Sequence, residues 1–483
     1  MPFNSLKFLL VLLLIFVIHW AIPAKYNLCR KVYLILVSYL LYMNWKPTFA
    51  LVLFGVTVVT FCGGLVLQLR DDGEECLAEP SGKNERKVRR KKLAWFFALI
   101  GLLPLLVFKY YNFLNESISA GLAALGLQFA MPGLNWAVPV GISFFTFQAV
   151  GYMLDVYHGR IKAEKNFVDY LLFVSFFPQI ASGPISKTSE LLPQIKKERA
   201  FNCEQAASGL RYLLWGMFLK VALADRAGIY VDTVFSEYPK FSGLGCFIGS
   251  LLYSIQIYSD FAGYSLMAVG VGKVLGFDLI NNFKRPYFSV SITDFWRRWH
   301  ISLSRWLKDY VYIPLGGSRC SKPRNYCNIF VTFLVSGIWH GANWTFIVWG
   351  ILHGVCQIIE KMFGWNKKDY GGLARFGRIV LTFLIVTITW TIFRSPSIAE
   401  TIGYFARYAS MSGSILAEGS TLVYTLMALI PVVIYEVLTE FFPATYKKLY
   451  RNHLLRWVAC LGIFTLLMLI GVFDGSSFIY VSF

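Results

Sequence analysis

Apolar runs of roughly twenty residues, separated by short polar stretches, recur along almost the whole chain, and each is long enough to cross a bilayer as a helix. They lie near residues 6–22, 30–44, 49–69, 93–113, 138–157, 207–224, 253–277, 376–394, 421–441 and 455–473, with a further one around 333–354. The pattern predicts an all-α polytopic membrane protein of about eleven to thirteen transmembrane or re-entrant helices. Two runs depart from it. "FFPQIASGPISKTSELLPQI" at 176–195 is broken by prolines and a glycine, and broken backbone at membrane depth is tolerated only inside protein or along a cavity, so a re-entrant segment is expected. The run at 253–277 contains Gln256 and Asp260, and an aspartate there must pair with a neighbour or face water. Making one segment between 166 and 277 re-entrant also places the basic stretch 281–325 in the cytoplasm.

The chemistry concentrates in 294–354. "DFWRRWHISLSRWLKDYVYIPLGGSR" reads as a cationic amphipathic helix too charged to span a bilayer. Ser291 and Asp294 suit a capping box at its start. Trp296, Trp299, Leu303, Trp306, Leu307 and Tyr310 fall on one face, while Arg297, Arg298, Arg305 and Lys308 mostly face away. The expectation is a helix in the cytoplasmic interface with its indoles at headgroup depth and His300 at the border of the apolar face. "FLVSGIWHGANWTFIVWGILHG" follows, apolar enough to cross, yet with His340 in its middle. An ionisable residue in such a run is a functional-site candidate by default. His353, thirteen residues on, would lie about 220° round an unbroken helix, which argues for a separate environment.

Composition narrows the class. The 483 residues are 56% hydrophobic and only 15% charged, below the quarter or so of a soluble domain. The net charge of +19 sits in short loops, as the positive-inside rule requires, so no nucleic-acid partner is implied. "GKNERKVRRKK" at 82–92 and the loop with Lys25, Arg30 and Lys31 then face the cytoplasm, while Asp225, Asp232 and Glu237 mark an acidic external loop. The nine cysteines contain no CxxC pair, which indicates neither a disulfide framework nor a zinc site. The N-terminal run reads as a retained first span rather than a signal peptide, and His158 as a solvated loop residue.

A neutral histidine in a membrane cavity can take a proton from a hydroxyl and return it to a leaving group. A basic cytoplasmic helix can hold a phosphorylated donor through Arg and Lys. Together they suggest group transfer from a charged cytosolic donor to a hydroxyl, although a proton-coupled transporter would use the same residue types.

Several strings make the chain resemble the membrane-bound O-acyltransferase (MBOAT) superfamily, and within it the branch that O-acetylates alginate. They are "FNSLKFLLVLLLIF", "VPVGISFFTFQAVGYMLDVYHG", "FFPQIASGPI", "LLWGMFLKVALADR", "QIYSDFAGYS", "DFWRRWHISLSRWLKDYVYIPLGG" and "IWHGANWTFIVWGILHG". "TWTIFRSPS" favours that branch over the D-alanine-transferring one, whereas Leu266 stands where an acidic residue is expected. The resemblance implies a single membrane domain over 1–483: N-terminal helices (1–280), a cytoplasmic amphipathic region (281–325), a histidine-bearing core (326–360) and C-terminal helices with a tail (361–483). It further implies a ring of helices around a central tunnel in a bacterial cytoplasmic membrane. By the same resemblance His340 is the acceptor-activating base, His300 assists it, and acetyl-CoA is the acyl donor, with no bound cofactor or metal. Arg297, Arg298, Arg305 and Lys308 are candidates for holding donor phosphates. Trp299, Trp339, Asn343 and Asp260 are candidate substrate-binding residues. The terminal "FIYVSF" resembles a motif whose tyrosine, here Tyr480, relays the acyl group to an extracytoplasmic SGNH-type transferase acting on a polysaccharide. The alternatives are a D-alanyl transferase fed by a carrier protein and a polysaccharide transporter without transferase activity.

Overall fold

The structure, a computed structural model, describes residues 4–75, 83–127, 131–180, 183–368 and 370–473; Tyr480 lies outside them. The chain is an all-α polytopic membrane protein. Residues 9–206 with 271–280 form one compact unit, and the rest of the described chain forms a second.

The first unit is built mainly from α1 (Leu6–Ala21), α2 (Asn27–Met43), α3 (Pro47–Glu75), α4 (Lys83–Ala124), α5 (Ile142–Tyr157), α6 (Phe167–Ser175), α7 (Phe177–Ile180) and α8 (Thr188–Lys196). The run expected to be re-entrant is indeed broken, into the short helices α7 and α8. The second unit is built mainly from α9 (Cys203–Met217), α10 (Asp225–Ser236), α11 (Gly243–Val274), α12 (Ile292–Arg298), α13 (Ile301–Leu307), α14 (Lys322–His340), α15 (Trp344–Met362), α16 (Gly372–Arg394), α17 (Ile398–Arg407), α18 (Gly419–Phe441), α19 (Pro443–Arg451) and α20 (His453–Ile470).

Among the described residues five helices are long and apolar enough to cross a membrane: Pro47–Gln68, Val88–Ala124, Gly372–Arg394, Gly419–Phe441 and His453–Ile470. Helices α1 and α2 meet at 107° and could serve as one bent span, making six. The other apolar runs fold into shorter or more polar helices, such as α5, α14 and α15. On α20, Leu454, Trp457, Val458, Leu461 and Leu469 are exposed, a surface suited to hydrocarbon rather than water.

Two features of the second unit bear on the site. A π-helical segment, Phe218–Ala224, joins α9 to α10 without a break. Asp225 and Asp232 therefore sit on a helix, not in the acidic loop expected from their spacing. Helices α9 and α11 also approach closely enough that a Cβ on Gly263 would stand 2.7 Å from the Gly216 carbonyl oxygen, and one on Gly270 2.7 Å from that of Gly209. Small residues permit such contact between membrane helices, where no hydrophobic force draws apolar surfaces together.

Candidate functional site

His340 is the last residue of α14, and the turn Gly341–Asn343 reverses the chain into α15. Asn343 caps α15, accepting from the Thr345 N–H (3.0 Å) and donating to the Pro396 carbonyl (2.8 Å). Its side chain is thus committed to fixing the turn. The two helices touch backbone to backbone: a Cβ on Gly350 would stand 2.5 Å from the Phe333 carbonyl oxygen and 3.0 Å from Gly337 Cα. This contact sets the position of His340, which is 2% exposed. Three rings box its imidazole, Trp339, Trp349 and Phe393, at centroid distances of 5.0, 4.9 and 5.3 Å.

His300 reaches the same cluster by an unexpected route. The continuous amphipathic helix read from the sequence is broken. Helix α12 ends at Arg298, Trp299 is extended, and His300 adopts the left-handed conformation (φ 43°, ψ 55°) before α13 begins. The break is stabilised by a distant loop: Lys284 N–H donates to the Arg298 carbonyl and Ile301 N–H to the Asn282 carbonyl, both at 2.9 Å. The Asn282 side-chain oxygen accepts from Ser302 N–H at 3.2 Å. Bonding to Asn282 and Lys284 thus replaces the helical bonds that would cross the break, while Trp299 N–H still donates to the Phe295 carbonyl (2.8 Å). Two of the three indoles on the apolar face are turned into protein, while Trp306 is half-buried. Trp299 is fully buried and Trp296 nearly so, because the apolar face packs on protein. The Ser291 cap itself is as expected, accepting from Asp294 N–H at 3.0 Å.

The imidazole of His300 is fully buried against Phe261 (4.7 Å) and Trp339 (5.8 Å). Trp339 is therefore shared by both histidines. Trp299 lies against Trp390 at 4.9 Å, and Trp390 stacks on Trp349 at 5.7 Å, so the cluster draws on α14, α15, α16 and the break that follows α12.

The expected separation of His353 does not hold. Its ring lies 4.8 Å from Trp349, which also flanks His340, because the chain reverses at 341–343 and the separation of about 220° holds only on an unbroken helix. Its chemistry nonetheless differs. Trp296 Nε1–H donates to His353 Nδ1 (3.2 Å), leaving the ring proton on Nε2 to face Thr389 Oγ1 (3.1 Å), whose hydrogen goes to the Val386 carbonyl (2.8 Å). With both nitrogens committed, His353 is a structural member of the cluster.

The remaining candidates scatter. Asp260 is buried with Lys220, whose ammonium lies 2.5 Å from Asp260 and 2.6 Å from Asp225. Arg298 is gripped by Asp294 (3.1 Å) and Glu440 (3.0 Å). Arg297 and Lys308 are exposed and Arg305 half-buried. His158 is exposed at the end of α5, as read. Among the described residues no three His, Cys, Asp or Glu side chains converge as metal ligands.

Three carboxylates escaped the sequence reading. Glu360 accepts from the N–H groups of Ile292 (2.6 Å) and Thr293 (3.0 Å), closing the start of α12. Glu440 gathers Arg285 (2.6 Å), Arg298 and Arg375 (3.4 Å). Glu436 accepts a hydrogen bond from the Tyr258 hydroxyl. The rule that singled out His340, an ionisable group inside an apolar run, also applies to Glu436.

The model of the membrane-bound O-acyltransferase family matches residues 160–371, which include His300, His340 and His353. The chain is 38% identical to a protein of Pseudomonas syringae pv. tomato named probable alginate O-acetylase, over 82% of this chain and 73% of that protein. It is 30% identical to a peptidoglycan O-acetyltransferase of Helicobacter pylori, over 95% of this chain and 93% of the relative. It is also 30% identical to a teichoic acid D-alanyltransferase of Bacillus subtilis, over 56% and 68% respectively.

Proposed function

The chain belongs to the membrane-bound O-acyltransferase family and is an O-acyltransferase, and from that premise we propose that it passes acetyl groups from cytosolic acetyl-CoA across the bacterial cytoplasmic membrane to O-acetylate a secreted or cell-wall polysaccharide. The observation that carries this reading is His340, buried at the α14–α15 turn in a box of three aromatic rings. In such a box an imidazole nitrogen takes the proton of a hydroxyl as its oxygen attacks the thioester carbonyl carbon. The C–S bond then breaks, and the imidazolium returns the proton to the departing thiolate. An ester and free CoA result, and the histidine is unchanged.

His300, on the far side of the shared Trp339, orients the reacting groups. The exposed Arg297 and Lys308, with Arg305, meet the donor's phosphates, while Arg298 belongs to the scaffold through Asp294 and Glu440. The first acceptor is the Tyr480 phenol, whose ordinary pKa near 10 makes it a better leaving group than a sugar alcohol. An extracytoplasmic SGNH-type partner then moves the acetyl group to the polysaccharide. Similarity to the D-alanyltransferase supports a second reading, with D-alanine supplied by a carrier protein. Offering the purified protein labelled acetyl-CoA beside labelled D-alanyl carrier separates the two. Label arriving from acetyl-CoA supports the first reading, and label from the carrier alone replaces it with the second.

A further inference from the structure

Among the described residues, two non-glycine residues hold a left-handed backbone, Arg285 (φ 47°) and His300 (φ 43°). Side-chain-bearing residues stay in that conformation only where their surroundings over-determine it. The two are parts of one device. The backbone bonds from Lys284 to Arg298 and from Ile301 to Asn282 fasten loop 282–285 along the break at 298–301. The side chains of Arg285 and Arg298 then converge on one carboxylate, Glu440, from Nε at 2.6 Å and from Nη1 at 3.0 Å. Glu440 is 7% exposed at its side chain, so water does little to share this load.

Helix α18 supports the break a second time. Glu436, four residues before Glu440 and hence on the same helical face, holds the Tyr258 hydroxyl. The Tyr258 ring lies 6.2 Å from Trp299 and 5.7 Å from Phe283, one neighbour on each side of the fastened loop. Without the Glu440 charge, Arg298 keeps Asp294 (3.1 Å) but shares no carboxylate with Arg285, a neighbouring like charge.

We propose that Glu440 is a positioning residue for acyl transfer: by gathering Arg285 and Arg298 it holds Trp299–His300 in the backbone geometry that sets the His300 imidazole against Trp339, the indole shared with His340. This rests on the reading of His300 as the partner of His340. An ion-pair network that merely stabilises the protein would affect every variant alike, whereas a positioning group acts only while His300 is there to be positioned.

A double-mutant cycle distinguishes the two. The kcat for transfer from acetyl-CoA is measured on the full chain, purified and reconstituted in vesicles, as wild type, Glu440→Gln, His300→Ala and the double variant. Glu440→Gln is expected to lower kcat about tenfold with the KM for acetyl-CoA within about twofold, and to change kcat less than about twofold in the His300→Ala background. Glu440→Asp is expected to recover part of the loss. The same fold-loss in both backgrounds would reduce Glu440 to a stabilising group and overturn the proposal. A slow His300→Ala beside a Glu440→Gln at wild-type kcat would overturn the positioning while leaving the site reading intact. His300→Ala at wild-type kcat would overturn the site reading and the proposal with it. Should Glu440→Gln fail to accumulate, Arg285→Gly enters the same cycle, since glycine keeps the left-handed backbone without strain but removes the guanidinium. A loss that vanishes in the His300→Ala background is again expected, and one that persists there overturns the proposal.

Discussion

Replacing Gly350 with alanine tests whether the α14–α15 contact sets the position of His340. The added Cβ would stand 2.5 Å from the Phe333 carbonyl oxygen, 3.0 Å from Gly337 Cα and 3.1 Å from Gly337 N. All three are backbone atoms, so no side chain can swing aside. Ordinary contact begins near 3.4 Å, and reaching it requires the helices to part locally by roughly 1 Å. Overpacking of this kind costs about 1–3 kcal/mol. Gly350 follows Trp349, a wall of the His340 box, and Gly337 precedes His340 by one helical turn, so the displacement reaches the imidazole itself. A misplacement of about 1 Å can cost on the order of a hundredfold in rate. The expected result is a lower melting temperature in detergent and a kcat reduced about a hundredfold with CoA thioester binding retained. Gly377→Ala on α16, where a Cβ meets nothing within 4 Å, is the control and should leave both unchanged. Wild-type kcat and stability in Gly350→Ala would refute the idea that this contact positions the base.

Three further outcomes follow from the geometry. Lys220→Met leaves the carboxylates of Asp225 and Asp260 without the ammonium between them, and thermal unfolding should show a loss of about 3–5 kcal/mol. His353→Leu strips the acceptor from Trp296 Nε1–H, for a cost of about 1–3 kcal/mol in the same assay, while kcat falls far less than in His340→Ala. After incubation with acetyl-CoA, mass spectrometry of the C-terminal peptide should find an acetyl group on Tyr480, and Tyr480→Phe should halt delivery to the polysaccharide; active delivery by Tyr480→Phe would discard the relay.

Features that depend on local pattern were legible in the sequence. His340 stands out because an ionisable residue in an apolar run is a functional candidate by default, a rule that equally marks the structural His353, and the Ser291 cap because its spacing is short-range. The break at His300 was not legible, since "FWRRWHISLSRWL" satisfies helical periodicity throughout and the bonds that interrupt it come from residues 282–284. Amphipathicity also cannot say what covers the apolar face; Trp296 and Trp299 would show the same stripe against headgroups as against the protein that buries them. Asp260 announced a need for a partner but not which one, because Lys220 precedes it by forty residues and reaches it from the π-helical segment. Glu360 and Glu440, near the ends of apolar runs, look like ordinary solvated residues until the fold brings the start of α12 to the first and Arg285, Arg298 and Arg375 to the second.

If His340 drives transfer of an acetyl group from acetyl-CoA to a hydroxyl, removing its imidazole must stop that transfer. The most direct test is label transfer from carbonyl-labelled acetyl-CoA by the reconstituted protein, wild type against His340→Ala, with melting temperatures matched to show that both are folded. Label reaching the acceptor in wild type, with a loss of about a hundredfold or more in the variant, is the predicted result. Equal transfer by the two proteins would contradict it and remove His340 from the chemistry.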